Sequence, residues 1–303
     1  MNPVPVIGRF APSPTGDLHF GSLVAAVGSY LEARCVGGKW LLRIEDIDPP
    51  REVPGSADRI IADLEKLGLI PDGPILYQSS RLAAYREVVE QLLDKGLAYP
   101  CGCSRKDLSG SVYPGTCRNG LAPGRKPRAT RFRVEAGECA FYDRLQGWVS
   151  EKLASSVGDF VIRRADGLFA YQLAVVVDDH YQGVTQVVRG ADLLDSTSRQ
   201  IGLQNALGFP LPDYMHLPTA VSADGKKLSK RSRSDPVMQQ EPVTSVRQAL
   251  QFLGQDPPSG MSLNDLWNWA IRHWNHTLIP RARMLAAGSV PSGNVARDRQ
   301  PAI

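Results

Sequence analysis

The segment at residues 9–22, RFAPSPTGDLHFGS, constrains the fold more than any other part of the sequence. It follows a short apolar strand predicted over residues 4–10 and leads into a helix whose apolar residues recur at helical spacing. Gly16, His19 and Gly21 lie at this strand-to-helix transition. A helix N-terminus offers unpaired N–H groups and a positive dipole end that suit a polyphosphate, and glycine lets the backbone approach a nucleotide. An ordinary βα turn with a surface histidine is the alternative interpretation.

Strands and helices alternate over the first third of the chain, which indicates an α/β fold with a mostly parallel sheet. Ligands of such sheets bind at the carboxyl ends of the strands. From residue 99 the sequence becomes rich in glycine, proline and cysteine, which predicts an insertion. We divide the chain into the first half of a Rossmann-type domain at 1–98, an insertion at 99–150, the second half of that domain at 151–235, a helical module at 236–285 and a disordered tail at 286–303.

The composition limits the class of protein without identifying it. Of 303 residues, 43% are hydrophobic and 22% are charged, as in soluble globular proteins. The net charge of +4 permits an acidic partner such as RNA but does not require one. No apolar run approaches the roughly 18–20 residues that span a bilayer, and no secretion leader precedes the first strand. The five cysteines, an odd number, do not indicate a disulfide framework, so we expect a cytoplasmic protein.

A second motif, DGKKLSKR, occupies residues 224–231. A glycine-centred turn there presents several lysines, among which Lys227 and Lys230 are point charges suited to a departing pyrophosphate. Taken alone, such a charge run also fits a solvated surface segment.

Together the two motifs resemble the paired signatures of class I aminoacyl-tRNA synthetases. The segment around His19 resembles the first signature of that class, and KLSKR at 227–231 resembles the second. Further blocks at 9–16, 42–46, 159–164 and 173–180 resemble, in the same order, the catalytic domain of glutamyl-tRNA synthetases. The resemblance implies a class I synthetase α/β fold: a Rossmann-type parallel sheet with a zinc-containing insertion and a small C-terminal helical module.

The chain departs from full-length glutamyl enzymes because it ends before a large helical anticodon-binding part. The segments at 19–23, 47–51 and 189–193 fit a shorter paralogue better. That paralogue attaches glutamate to the queuosine base in the anticodon of tRNA-Asp. The resemblance therefore implies an ATP-dependent ligase whose partners are glutamate, ATP and queuosine-modified tRNA-Asp. We also expect no membrane partner and a monomeric state.

Five residues match the glutamate-binding positions of the family: Arg9, Ser13, Glu45, Tyr171 and Arg189. A guanidinium fork such as that of Arg9 matches a carboxylate bidentately, and Glu45 would hold the substrate amino group. Each also has a structural interpretation. Arg9 could form a surface salt bridge, Glu45 could pair with Arg9 or Arg43, Tyr171 could be a core aromatic residue, and Arg189 could cap a helix.

ATP-binding roles follow from the resemblance for His19, Gly21, Lys227 and Lys230. His19 and Lys230 are also the predicted catalytic residues, which would stabilise the charge that develops on the phosphates together with Mg²⁺.

The insertion carries three cysteines and a tyrosine at Cys101, Cys103, Tyr113 and Cys117. From the residues alone, either a tetrahedral zinc site or three reduced thiols is consistent with this weak motif. The family carries a structural zinc ion at this place, with these residue types as ligands. The other cysteines, Cys35 and Cys139, have no partners nearby in the sequence.

Two rival functions remain open at this point. The chain could be a truncated glutamyl-tRNA synthetase that charges an ordinary tRNA 3′ end. It could also be an inactive RNA-binding module, although the joint presence of His19, Glu45, Arg189 and Lys230 argues against that interpretation.

Overall fold

A computed structural model describes residues 5–107, 110, 112–222 and 237–287. The strands, in chain order, are β1 (Ile7–Phe10), β2 (Lys39–Ile44), β3 (Leu76–Tyr77), β4 (Ala98–Cys101), β5 (Ala129–Phe132), β6 (Cys139–Asp143), β7 (Gly147–Glu151), β8 (Phe160–Arg163), β9 (Gln186–Gly190), β10 (Asp213–Leu217), β11 (Thr219–Val221) and β12 (Met284–Ala286). The α-helices are α1 (Phe20–Arg34), α2 (Ser56–Lys66), α3 (Leu82–Asp94), α4 (Leu153–Ser156), α5 (Tyr171–Tyr181), α6 (Leu194–Leu207), α7 (Pro242–Phe252) and α8 (Leu263–His273). Within the described ranges, no helix is both long and apolar enough to cross a membrane.

Parallel strands form the centre of the fold, as the sequence predicts. β2 pairs in parallel with β1 and β3. β10 pairs in parallel with β9 and β6, and β7 is antiparallel to β6 at the edge. The Thr185 N–H donates to the Ile7 carbonyl over 3.0 Å, so the start of β9 lies beside β1. The carboxyl ends of β1, β2, β9 and β10 therefore share one side of the domain.

The first βα unit forms where the sequence predicts it. Four apolar side chains of α1 are buried against the sheet because they recur at helical spacing: Leu23, Val24, Val27 and Leu31. His19 caps the N-terminus of this helix, and the chain turns beyond its end at Gly37, whose φ is +69°. The strand predicted at 4–10 is confirmed over Ile7–Phe10.

The helices that alternate with strands in the first third of the chain, as the sequence predicts, include α2 and α3. Each is followed by a glycine in the left-handed region, Gly68 with φ of +76° and Gly96 with φ of +67°, where a side chain would be strained. The apolar run at 173–177 lies in α5 and is buried.

A second sheet consists of antiparallel strands in the order β4-β5-β8. Most of β4 and all of β5 lie in the region that the sequence identifies as an insertion. Strands from before residue 150 pair with strands from after it in both sheets. β6 and β7 come before it and join the sheet of β9 and β10, whereas β8 comes after it and completes the antiparallel sheet. The domain division therefore stays a prediction.

The C-terminal segment is helical, as predicted, and packs on the first βα unit. The Trp267 indole of α8 donates to the Leu67 carbonyl over 2.8 Å and meets the Tyr30 ring of α1 at 5.0 Å. The Phe252 ring of α7 meets Phe20 of α1 at 5.6 Å. Both helices thus extend the largest apolar cluster of the molecule. Residues 288–303, which include most of the predicted tail, lie outside the described part.

Candidate active site

Charged side chains converge at the carboxyl ends of the parallel strands. Arg9 and Arg189 are the penultimate residues of β1 and β9, and Glu45 directly follows β2. All three are more than nine-tenths buried. Tyr171 is the first residue of α5, and burial first and then the negative charge of Glu45 raise its pKa, against the charges of Arg189 and Arg9. The structure therefore brings together four of the five predicted glutamate-binding residues.

Arg9 forms a buried two-bond contact with Asp179 of α5. Its Nε donates to Oδ1 over 3.1 Å, and its Nη2 donates to Oδ2 over 3.4 Å. The same carboxylate accepts from Arg43 Nη1 over 2.7 Å. Burial alone would raise the pKa of Asp179, but the charges of the two arginines outweigh it and lower that pKa. The surface salt bridge considered for Arg9 is therefore wrong, because the ion pair is buried.

Glu45 has the structural partner that the sequence allowed. Arg43 Nη2 donates to Glu45 Oε1 over 3.3 Å, and the Glu45 N–H donates to the Pro12 carbonyl over 3.0 Å. Burial raises the pKa of Glu45, although the charges of Arg43 and Arg9 act in the opposite direction. The turn that contains the exposed Ser13 is thereby fixed beside Glu45. The proposed contact of Glu45 with an amino group stays a prediction.

Arg189 differs from the other two arginines in its partners. Its Nε donates to His216 Nε2 over 3.0 Å, and its Nη2 donates to Thr197 Oγ1 over 2.8 Å. Among the described residues, its Nη1 has no hydrogen-bond partner, and no carboxylate oxygen lies within 4.0 Å of the guanidinium. Arg189 therefore does not cap a helix. It is a buried cation whose partners are neutral groups.

The first phosphate-binding motif lies at the N-terminus of α1. The Ser22 N–H donates to His19 Nδ1 over 3.3 Å, and Gly21 lies in the first helical turn. Gly16 has φ of +136° and exchanges hydrogen bonds with the Ser56 hydroxyl, which accepts from its N–H at 3.1 Å and donates to its carbonyl at 2.7 Å. These contacts attach the turn before His19 to the start of α2.

The second motif lies outside the described residues, and with it Lys227 and Lys230. The first described residue after that motif is Val237, whose N–H donates to the Leu18 carbonyl over 3.1 Å. The chain that follows the second motif therefore returns next to His19. The convergence of the two motifs stays a prediction.

The insertion brings its three cysteines and Tyr113 together. The sulfur atoms of Cys101, Cys103 and Cys117 all lie within 4.8 Å of one another. The Tyr113 hydroxyl lies 3.4 Å from Cys101 Sγ and 3.6 Å from Cys103 Sγ, and the Cys103 and Cys117 sulfurs are 3.6 Å apart. Ligands about 2.0–2.3 Å from a tetrahedral zinc ion are separated by roughly these distances. The cluster is therefore compatible with a zinc site.

Arg131 provides positive charge beside this cluster. Its Nε donates to Cys101 Sγ over 3.3 Å, and its guanidinium carbon lies 3.7 Å from the centre of the Tyr113 ring. Burial acts to raise the pKa of Cys101, but hydrogen bonds from Tyr113 and Arg131 outweigh it and lower that pKa to about 7. A thiolate, which is the form that binds metals, is therefore favoured.

Several buried residues of the site escape sequence reasoning. Asp179 follows a buried run of α5, but the sequence alone does not show which arginines it meets. His216 and Asp143 are fully buried polar residues on β10 and β6 and show no motif of their own. A single aspartate or histidine at the end of a predicted strand is the only signal that could have identified them.

Comparisons with known proteins agree with this arrangement. The family "tRNA synthetases class I (E and Q), catalytic domain" matches residues 5–112 and 115–250. A relative from Dechloromonas aromatica named glutamyl-Q tRNA(Asp) synthetase is 54% identical over 294 residues, which cover 93% of this chain and 98% of the relative. A Pseudomonas aeruginosa protein of the same name is 53% identical over 284 residues, which cover 92% of this chain and 97% of that protein.

A similar fold occurs among solved structures. The crystal structure of a glutamate tRNA ligase from Elizabethkingia meningosepticum, in complex with its amino acid, matches with a TM-score of 0.79 and 26% identity. The match covers 95% of this chain and 68% of that ligase.

Proposed function

The chain belongs to the class I tRNA synthetases for glutamate and glutamine, and we propose that it activates glutamate with ATP and transfers it to the queuosine base in the anticodon of tRNA-Asp. This function is that of the relatives named glutamyl-Q tRNA(Asp) synthetase, which the chain matches over nearly their whole length. The observation that carries the proposal is Arg189, a buried cation near the carboxyl end of β9 that has only neutral partners among the described residues.

Glutamate has two carboxylates and an ammonium group, and the pocket offers complementary charges. We assign the side-chain carboxylate to Arg9 and Arg189, with the Ser13 hydroxyl and the Tyr171 phenol beside it. Glu45 takes the ammonium group. A buried guanidinium without a carboxylate is costly unless a ligand supplies the charge, which favours an anionic substrate. The two arginines thus make the pocket selective for a carboxylate over a neutral amide.

Activation joins the α-carboxylate of glutamate to the α-phosphate of ATP and releases pyrophosphate. We assign the stabilisation of the charge on the phosphates to His19 and to the N-terminus of α1, which His19 caps. Gly21 lets the nucleotide approach, and Lys227 and Lys230 neutralise the departing pyrophosphate together with Mg²⁺. This chemistry needs positioning and charge stabilisation but no covalent enzyme nucleophile.

Transfer follows when a hydroxyl of the acceptor attacks the glutamyl carbonyl and AMP leaves. The acceptor hydroxyl belongs to the cyclopentene-diol of queuosine rather than to the terminal ribose of a tRNA. A cavity of about 300 Å³ at the edge of the insertion sheet is lined by Arg128, Arg163 and Arg164. Its arginines are suited to backbone phosphates of the RNA, which would position the RNA without reading its sequence.

We further propose that Cys101, Cys103, Tyr113 and Cys117 hold one structural zinc ion. The ion would fix a glycine- and proline-rich segment that has only a small apolar cluster of its own. The cytoplasmic location and the monomeric state stay predictions.

The decisive experiment compares tRNA-Asp with and without queuosine as an acceptor of labelled glutamate. We expect glutamate on the modified tRNA-Asp alone. Labelling of the 3′ end of tRNA-Glu would instead support a truncated glutamyl-tRNA synthetase. Absence of glutamate-dependent ATP–pyrophosphate exchange in folded, zinc-loaded protein would support an inactive RNA-binding module.

A further inference from the structure

A buried chain of side chains crosses three neighbouring strands behind the pocket. Asp143 ends β6, His216 lies on β10 and Arg189 lies on β9. His216 and Arg189 are direct partners in the parallel register of β10 and β9. Asp143 and His216 are completely buried, so water does not compete for their hydrogen bonds.

Asp143 fixes the proton of His216 on Nδ1. The Asp143 Oδ2 lies 2.6 Å from His216 Nδ1, while Oδ1 accepts from the N–H groups of Leu145 at 3.0 Å and Gln146 at 2.8 Å. On its other side, His216 Nε2 faces Arg189 Nε at 3.0 Å. A guanidinium can only donate, so Nε2 must accept and the imidazole must be the neutral Nδ1–H tautomer.

Thr197 of α6 completes the support of Arg189. Its hydroxyl oxygen accepts from Arg189 Nη2 over 2.8 Å and lies 3.2 Å from His216 Nε2. Two of the three guanidinium nitrogens are therefore held by neutral groups. The third, Nη1, is buried and has no hydrogen-bond partner among the described residues.

We propose that His216 is a positioning residue that, backed by Asp143 and assisted by Thr197, orients the Arg189 guanidinium so that Nη1 meets the side-chain carboxylate of the amino-acid substrate. This inference rests on the proposed function, which supplies the carboxylate. Neutral partners orient the arginine without neutralising it, whereas Arg9 already shares Asp179 with Arg43. The full charge of Arg189 is thereby kept for the substrate.

The test compares His216→Leu, which removes the acceptor, with His216→Gln, whose side-chain oxygen can accept from Arg189 Nε. Both are measured by ATP–pyrophosphate exchange, with KM determined separately for glutamate and for ATP. We expect His216→Leu to raise the glutamate KM at least tenfold and His216→Gln to raise it less than threefold, with the ATP KM changed by less than twofold in both variants. A purely structural role would not separate the two substrates or the two variants.

The matched control is Tyr214→Phe, because Tyr214 lies two residues away on β10 and its hydroxyl donates to Gln204 rather than to Arg189. We expect its glutamate KM to stay within twofold of the unmodified chain. Because His216→Leu leaves Asp143 buried without its partner, Thr197→Val provides a second variant, which keeps the pair of His216 and Asp143 and removes the hydroxyl that accepts from Arg189 Nη2 and lies near His216 Nε2. We expect it to raise the glutamate KM about fivefold.

An unchanged glutamate KM in folded His216→Leu or in Thr197→Val would overturn the proposal, as would an equal rise in the ATP KM. The proposal would also be overturned if the glutamate KM rose as much in Tyr214→Phe as in His216→Leu. If the unmodified chain activates no glutamate at all, the proposed function fails instead, so the two failures are distinguishable.

Discussion

The glutamate pocket and the cysteine cluster are built in opposite ways. The pocket lies on parallel strands above extensive apolar clusters, and its charged side chains are fixed by buried contacts such as Arg9 to Asp179 at 3.1 Å. The cysteine cluster lies among turns next to a small antiparallel sheet, and its own apolar cluster consists of few residues. The fold itself therefore orders the pocket, whereas the proposed zinc ion would contribute to the order of the insertion.

This contrast predicts which perturbation each region tolerates. Loss of a charge in the pocket leaves the surrounding sheet intact and affects substrate binding. We expect loss of a proposed zinc ligand to affect the structure around Cys101, Cys103 and Cys117 before it affects chemistry.

The largest expected effect is that of Arg9→Ala on glutamate binding. Asp179 keeps Arg43 as a partner at 2.7 Å, so the fold should survive the substitution. Loss of a buried contact between two charges raises the glutamate KM about a hundredfold, and the ATP KM changes less than threefold. ATP–pyrophosphate exchange at varied concentrations of each substrate measures both constants.

Arg34→Ala is the matched control for Arg9→Ala. Arg34 also pairs with an aspartate, Asp72 at 2.8 Å, but this pair is partly exposed and lies on the other end of α1. The glutamate KM of Arg34→Ala should stay within twofold of that of the unmodified chain. Equal effects of Arg9→Ala on the two substrates would mean that Arg9 serves only the structure.

The second effect concerns acid stability and His216. Burial, together with the charges of Arg189 and Arg9, lowers the pKa of His216 to about 4 despite the opposing contact with Asp143. The unfolded chain, with an ordinary value of about 6.5, takes up this proton at a higher pH than the native protein. The contribution of His216 to the free energy of unfolding is therefore fully present above about pH 6.5 and is lost as the pH falls toward 4, by about 3 kcal/mol.

Urea unfolding at pH 7 and at pH 4.5 measures this loss, and His216→Gln should reduce it because glutamine does not titrate. The matched control is His180→Gln, since the His180 ring stacks on Phe209 at 3.7 Å outside any ion pair. That variant should keep the pH dependence of the unmodified chain. An unchanged pH dependence in His216→Gln would show that other groups cause the loss.

The third effect is metal loss in Cys101→Ser. We expect zinc to fall from about one ion per chain to less than a tenth, and glutamate transfer to tRNA to fall at least tenfold. ATP–pyrophosphate exchange should stay within threefold, because the pocket does not depend on the insertion for its order. Elemental analysis and the two activity assays check these values.

Cys35→Ser is the control for this substitution, because Cys35 ends α1 and lies outside the sulfur cluster. It should keep its zinc. If Cys101→Ser kept the metal, the ligand assignment would be wrong. If it lost exchange and transfer equally, the contrast between the two regions would not hold.

The sequence predicts the pocket better than it predicts the support behind the pocket. Arg9, Glu45 and Arg189 are identified by their match to the glutamate-binding positions of the family, and the parallel strands explain why they lie on one side of the sheet. The partners Asp179, Asp143 and His216 come from distant parts of the chain. Their contacts depend on strand order and register, which local periodicity does not encode.

The insertion shows the converse limit. The spacing of Cys101, Cys103 and Cys117 identifies the cluster, but Arg131 comes from β5 and gives no signal in the motif. The pairing of β8 with β5 is also not visible in the sequence, since a short apolar strand fits either a parallel or an antiparallel neighbour.

The smallest expected effect is that of Arg131→Met on zinc affinity. Methionine retains the buried aliphatic part of the side chain but loses the hydrogen bond to Cys101 Sγ at 3.3 Å and the cation beside Tyr113. Loss of such an outer contact lowers metal affinity about tenfold, as measured by competition with a chromogenic chelator. Arg128→Met, at an exposed position just before β5, should leave the affinity unchanged. Glutamate activation should be unaffected in both variants. If Arg131→Met also lost ATP–pyrophosphate exchange, the insertion would support the pocket as well, and the two regions would be ordered together rather than separately.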